Sequence, residues 1–153
     1  GFKSISFDKS LCKEPVEAGS GKISVLLVEP NKYPKMIEID DTLEAMQAVV
    51  GGDIEEYMPF EDEVAIICNE EGKVNGLTPN RAVYEENSRE MLDIICGKFF
   101  IAYAPFDAER FQSLPPDLAE KYRGKFKYPE RFMRVNNEIV AVPFKPVRAD
   151  KER

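Results

Sequence analysis

The chain reads as an α+β protein with one domain, a mixed or mainly antiparallel sheet and two to three short helices on one side of it. Three observations predict this. Apolar, β-branched runs of strand length recur as "KISVLLVEP", "EVAIIC" and "KFFIAYAP". Strand patterns follow one another directly in places and are separated by short helical patterns in others, unlike the regular alternation of a doubly wound parallel sheet. No G-x-G-x-x-G or G-x-x-x-x-G-K-[ST] loop follows the first strand, so the familiar nucleotide-binding folds have no support. With 153 residues, 43% of them hydrophobic, the chain can bury about 70% of its unfolded surface, enough for one core.

Each element has a local reason. Residues 1–22 form an N-terminal arm or linker, in which FKSISF alternates like an added edge strand and residues 17–21 are flexible in composition. The domain proper spans 23–144. "KISVLLVEP" is a strand buried on both faces and closed by Pro30; "PKMIEID" follows a turn over 31–34 and makes a hairpin with it. Asp41 is the expected N-cap of a helix, with Glu44 three residues on, Leu43, Ala45, Met46, Val49 and Val50 on the apolar stripe, and Gly51 and Gly52 as the stop. "DIEEYMPF" is a strand that Pro59 places at an edge or at its end. "EVAIIC" is a buried strand. "SREMLDIIC" suits a short helix capped by Ser88, with a strand as the alternative. "KFFIAYAP" is a strand, and "SLPPDLAEKYRG" is a helix with early prolines, a stripe of Leu114, Leu118 and Tyr122, and Gly124 as its stop. "RFMRVNNEIVAVPF" is a hairpin turning at Asn136 and Asn137, which tolerate positive φ. Residues 145–153 are a C-terminal tail.

Composition excludes whole classes of chemistry. The chain has no histidine, which removes the commonest general base, the commonest zinc ligand and the usual Ser or Cys triad. Its three cysteines, Cys12, Cys68 and Cys96, lack metal-type spacing, and an odd count argues against a closed disulfide framework. Cys68 and Cys96 sit in apolar runs and read as core. A reducing cytoplasm is therefore the expected location, with no metal and no cofactor expected. No apolar run approaches the ~18 residues of a membrane helix, so no membrane partner is expected. The opening Gly1 is consistent with a cleavage scar. Charge is unevenly placed: residues 29–93 carry 17 acidic and 5 basic side chains, whereas residues 121–153 carry 4 acidic and 10 basic. Such polarity can steer a partner to one face, or the two halves can neutralise each other in the fold.

Three constellations are candidates for function. The stretch "NEEGKVNGLTPNR", residues 69–81, reads structurally as a chain reversal with Gly72 left-handed, then a second bend at Gly76, Pro79 and Asn80 that leaves Arg81 free to pair with Glu70 or Glu55. Functionally, Asn69, Glu70, Asn80 and Arg81 would converge with Glu55, the guanidinium gripping a carboxylate or phosphate. The acids Glu55, Glu56, Glu61, Asp62 and Glu63 could hold a hard cation or form an acid/base pair, although EF-hand spacing is absent. Between residues 121 and 134, Lys121, Arg123, Lys125, Lys127 and Arg131 interleave with Tyr122, Phe126, Tyr128 and Phe132, as in single-strand nucleic-acid binders. The overall charge of −7 weighs against nucleic acid as the partner.

A resemblance adds to this. The blocks "LLVEPNKYPKMIEIDDTLEAMQAVVGGDIEEY", "IICNEEGKVNGLTPNR" and "DIICGKFFIAYAPFD" resemble, over roughly residues 23–130, a domain-of-unknown-function family carried by bacterial phages, plasmids and conjugative elements. The resemblance implies a small intracellular accessory protein and carries no activity. Its signature falls on Gln47, Gly51, Gly52, Glu55, Asn69, Glu70, Gly72, Asn80 and Arg81. The expectation is a non-catalytic accessory or interaction protein whose acidic half engages a basic host protein. Two alternatives stand beside it: a small-ligand-binding domain or enzyme using Gln47, Glu55, Asn69, Glu70, Asn80 and Arg81, and nucleic-acid binding through the 121–134 segment.

Overall fold

A computed structural model of the chain describes residues 5–6 and 21–146. Cys12, the rest of the N-terminal arm and the tail from residue 147 lie outside the described residues. The elements in chain order are β1 (Ile5–Ser6), β2 (Lys22–Val28), β3 (Lys35–Asp40), α1 (Leu43–Val50), β4 (Ile54–Tyr57), β5 (Val64–Asn69), β6 (Pro79–Tyr84), β7 (Met91–Cys96), β8 (Phe99–Tyr103), α2 (Pro116–Lys125), β9 (Glu130–Val135) and β10 (Glu138–Pro143). The fold is α+β. Six strands form one sheet in the order β1-β4-β5-β8-β2-β3, with β6–β7 and β9–β10 as separate two-stranded sheets. Every pairing within these sheets is antiparallel.

The central strands β5 and β8 are apolar at every alternate position on both sides, so each face of the sheet needs its own cover. Val64, Ile66, Cys68, Phe99 and Ile101 pack with Ala119, Tyr122 and Phe126 of the α2 region and with Val83 and Ile95 of the β6–β7 hairpin. Ala65, Ile67, Phe100 and Ala102 pack with Leu43, Met46 and Val50 of α1. The two helices therefore cover opposite faces, which corrects the expectation that helices lie on one side. Buried side chains of this size contribute roughly 1.5–3 kcal/mol each, so neither face could be left open cheaply.

Three local expectations are also corrected. The N-cap of α1 is Thr42, whose Oγ1 accepts from the Ala45 N–H at 3.1 Å. Asp41 is engaged elsewhere, its Oδ2 accepting from Arg110 Nη2 at 2.8 Å. Gly51, at φ 81°, closes the helix in the left-handed conformation. Gly124 lies inside α2, which runs on to Lys125 before Phe126 enters the core against Phe60 and Phe99; Leu114 precedes the helix. Finally, "SREMLDIIC" supplies strand β7, because β6, unforeseen in the sequence, pairs with it. At the far end of the chain, Asn136 and Asn137 adopt φ 51° and 69° and turn β9 into β10 as expected. No helix among the described residues is long and apolar enough to cross a membrane.

Candidate functional site

The buried strand β5 ends in Asn69, and its carboxamide joins two segments. Nδ2 donates to Val50 O at 3.1 Å, satisfying a terminal carbonyl of α1, while Oδ1 accepts from the Glu71 N–H at 2.8 Å. The next residue continues the lock: Glu70 N donates to Asp53 O at 2.9 Å. A Cβ on Gly52 would stand 2.9 Å from Asn69 Nδ2. The Gly-Gly block after α1 and the Asn-Glu block after β5 are thus parts of one structural joint.

Beyond that joint the chain winds through a compact turn, with Asn75 N donating to Glu71 O and Leu77 N to Gly72 O. Gly72 is not the left-handed residue expected; Gly76, at φ 73°, takes that conformation. What requires glycine at 72 is proximity, since a Cβ there would lie 2.6 Å from Cys96 O.

This turn, the end of β5 and the strand β7 line an open cavity of about 460 Å³, with Glu55, Cys68, Asn69, Glu70, Lys73 and Asp93 among its walls. Lys73 and Asp93 form an ion pair on its wall. Burial pushes the Cys68 thiol up to about 12, with the Glu55 and Asp93 charges adding to the effect. At neutral pH it is a thiol rather than a thiolate nucleophile. Burial raises Tyr57 to about 12 as well, with Asp93 the next contributor. Both shifts come first from burial and only second from the nearby carboxylates.

Asn80 and Arg81 are elsewhere. They lie in strand β6, both buried, with Arg81 at 0% exposure. Asn80 Nδ2 donates to Val28 O at 3.0 Å and Gly97 O at 2.9 Å, and its Oδ1 accepts from Arg81 Nη1 at 2.8 Å. The guanidinium also donates to Phe126 O through Nε at 3.0 Å and to Lys32 O through Nη2 at 2.8 Å. Burial lowers its pKa to about 10, which leaves it protonated at neutral pH. The expected convergence is therefore half met: Glu55, Asn69 and Glu70 share a cavity, while Asn80 and Arg81 clamp β6 onto the end of β2, the turn after it and the end of α2. Arg81 is not free to grip Glu70 or Glu55, because backbone carbonyls already take its donors. Gln47, on α1, donates to Asp53 Oδ1 at 3.0 Å.

The acids after β4 hold the fold as well. Asp62 Oδ2 accepts from Lys121 Nζ at 2.7 Å and Tyr122 Oη at 2.8 Å, and these bonds draw its pKa below the ordinary carboxylate value. Glu63 Oε1 accepts from the Phe106 N–H at 2.9 Å. Among the described residues no group of three or more His, Cys, Asp or Glu is arranged to hold a metal ion.

The basic segment is corrected in its aromatics. Tyr122 and Phe126 are core residues at 0% and 4% exposure, so neither can present a ring to a base. Tyr128 is exposed but meets Tyr33 edge-on at 6.1 Å, and Phe132 is half-buried. The cations rest on rings of the protein itself: Lys125 over Phe60 at 5.1 Å, Lys127 over Tyr128 at 5.3 Å and Arg131 over Phe144 at 4.2 Å.

The joint and the clamp both lie inside the stretch that a family model matches. A family model, DUF3846, described as a domain of unknown function, matches residues 23–127. The chain belongs to the DUF3846 family. No curated protein and no solved structure matches it. The DUF3846 match begins in β2, ends just after α2 and stops short of the β9–β10 hairpin. That hairpin is fastened to the DUF3846 body through Glu130, whose Oε1 accepts from the Ala82 N–H at 2.8 Å. Burial raises the Glu130 pKa against the opposing pull of that bond and of Arg81. Lys73, Asp93 and Cys96, which complete the cavity, escaped sequence reasoning. The signal that could have found Asp93 and Cys96 is the run "MLDIIC", legible as a strand only once a partner strand is supplied.

Proposed function

We propose that the protein is a non-catalytic interaction module of a bacterial mobile element, acting in the cytoplasm, and that its acidic half engages a basic host protein. One observation carries this: residues 29–93 keep six glutamates exposed while three of the segment's own five cations are buried or held beside a carboxylate. Of the five basic residues in that segment, Arg81 is sealed inside, Lys73 is paired with Asp93 and Lys32 lies 3.7 Å from Glu29. Glu38, Glu44, Glu61, Glu70, Glu71 and Glu90 meanwhile face solvent. A surface of one sign raises the encounter rate with an oppositely charged partner and makes capture fall with ionic strength.

The test is salt-dependent capture of basic host proteins from a bacterial lysate, comparing the native chain with a variant in which Glu38, Glu44, Glu70 and Glu71 are changed to Lys. Specific capture by the native chain and its loss in the variant are expected. A captured set that survives those four changes removes the reading.

A second reading, a small-ligand site, is favoured by the cavity that gathers Glu55, Asn69 and Glu70. It is checked by screening a metabolite collection for thermal stabilisation of the native chain. A stabilising compound whose effect is abolished by Glu70→Ala favours it, and a compound indifferent to that change counts against it.

A further inference from the structure

Among the described residues, the β9–β10 hairpin carries an apolar face that the body leaves partly exposed. Register places Val135 opposite Glu138, Met133 opposite Val140 and Arg131 opposite Val142, and directly opposed residues of an antiparallel pair share a face. On this face Met133, Val135, Val140 and Val142 are 45%, 46%, 38% and 39% exposed. The other face is turned in part toward the body: Glu130 accepts from the Ala82 N–H, and Phe132, with Ile139 at 44% exposure, lines an open groove with Met91 and Leu92 of β7. The outer face is also ordered by charge. Glu138 sits at its turn end, and Arg131 sits at its base, the guanidinium held over Phe144.

We propose that this outer face binds the same face of a second copy of the chain, as a two-fold dimer. The charge layout selects the geometry. With the two hairpins antiparallel, each Glu138 meets the Arg131 of the other copy, and Met133 and Val140 meet their equivalents at the axis. With the hairpins parallel, the two Glu138 would crowd one end of the patch and the two Arg131 the other. A closed two-fold arrangement requires this kind of self-complementary patch. Four side chains that are each less than half exposed make a patch well below the ~800 Å² per partner of a standard interface, so the dimer is weak and depends on concentration.

Sedimentation velocity of the full chain, from about 10 µM to about 1 mM, reads the proposal directly. The native chain is expected to shift from monomer to dimer across that range. Val140→Lys, with far-UV circular dichroism unchanged, is expected to stay monomeric throughout. Glu138→Arg alone and Arg131→Glu alone are each expected to weaken association at least tenfold, and the double exchange is expected to restore it. A native chain that is monomeric at every concentration assigns the face to a different partner and overturns the proposal. So does a dimer indifferent to Val140→Lys, or an exchange that fails to restore association.

Discussion

The six-stranded body and the β9–β10 hairpin are written in the same alphabet and meet different fates. "VAIICN" in β5 is buried at every position, whereas "EIVAVP" in β10 has no fully buried residue. Both are runs of β-branched and small apolar residues. What separates them is cover: β5 lies between two strands and under elements on both faces, whereas among the described residues the hairpin meets the body only along its inner side, at β6 and β7. An apolar strand pattern therefore specifies a demand for burial, and the topology decides whether the chain itself meets it. The DUF3846 match coincides with the part that meets its own demand.

The contrast can be broken by substitution. Ile66→Ala, at a position with 0% exposure in the body, is expected to cost about 2–5 kcal/mol in urea unfolding, through lost transfer energy and a residual cavity. A cost below about 1 kcal/mol would mean that the body is as loosely packed as the hairpin. Thr42→Ala removes the side-chain cap of α1 and is expected to cost about 1 kcal/mol, measured the same way, because one end of the cover on that face frays. A pH series on Asp62→Asn addresses how the body holds α2. The carboxyl is depressed in the folded state, so its contribution is present above the ordinary carboxylate value and disappears as pH falls through the folded value. The native chain should lose stability along that acid limb, and Asp62→Asn should show a flatter one. Smallest of all, Val140→Ala should change monomer stability by no more than about 0.5 kcal/mol at low protein concentration. A larger loss would place Val140 in a core contact.

Much of the body was legible because it is locally consistent. The runs forming β2, β5 and β8, the stop of α1 at Gly51 and the Asn136–Asn137 turn all rest on residues close together in sequence. What escaped was settled at long range. "PNRAVY" looks like a bend because Pro, Asn and Arg are poor strand residues, yet Asn80 and Arg81 point inward to carbonyls that only the folded chain supplies. Without β6, the run "MLDIIC" had no partner and read as a helix. Asp41 looked like the better cap until Arg110, 69 residues away, claimed it and left Thr42 the role. The covering of opposite faces is likewise a property of the assembled sheet. The cavity was half legible for the same reason: Glu55, Asn69 and Glu70 follow from strands seen in the sequence, while Asp93 and Cys96 depend on a hairpin that was not.

The web around Arg81 has a consequence in time as well as in space. Its acceptors belong to residues 32, 80 and 126, and no short stretch of chain can present them together. Until β2, the turn after it and the end of α2 have docked, the cation is better served by water, so its desolvation belongs to the late side of the folding barrier. Arg81→Met should then leave the refolding limb of a chevron nearly unmoved and steepen the escape from the native state, making this one side chain a latch on lifetime more than a guide to assembly.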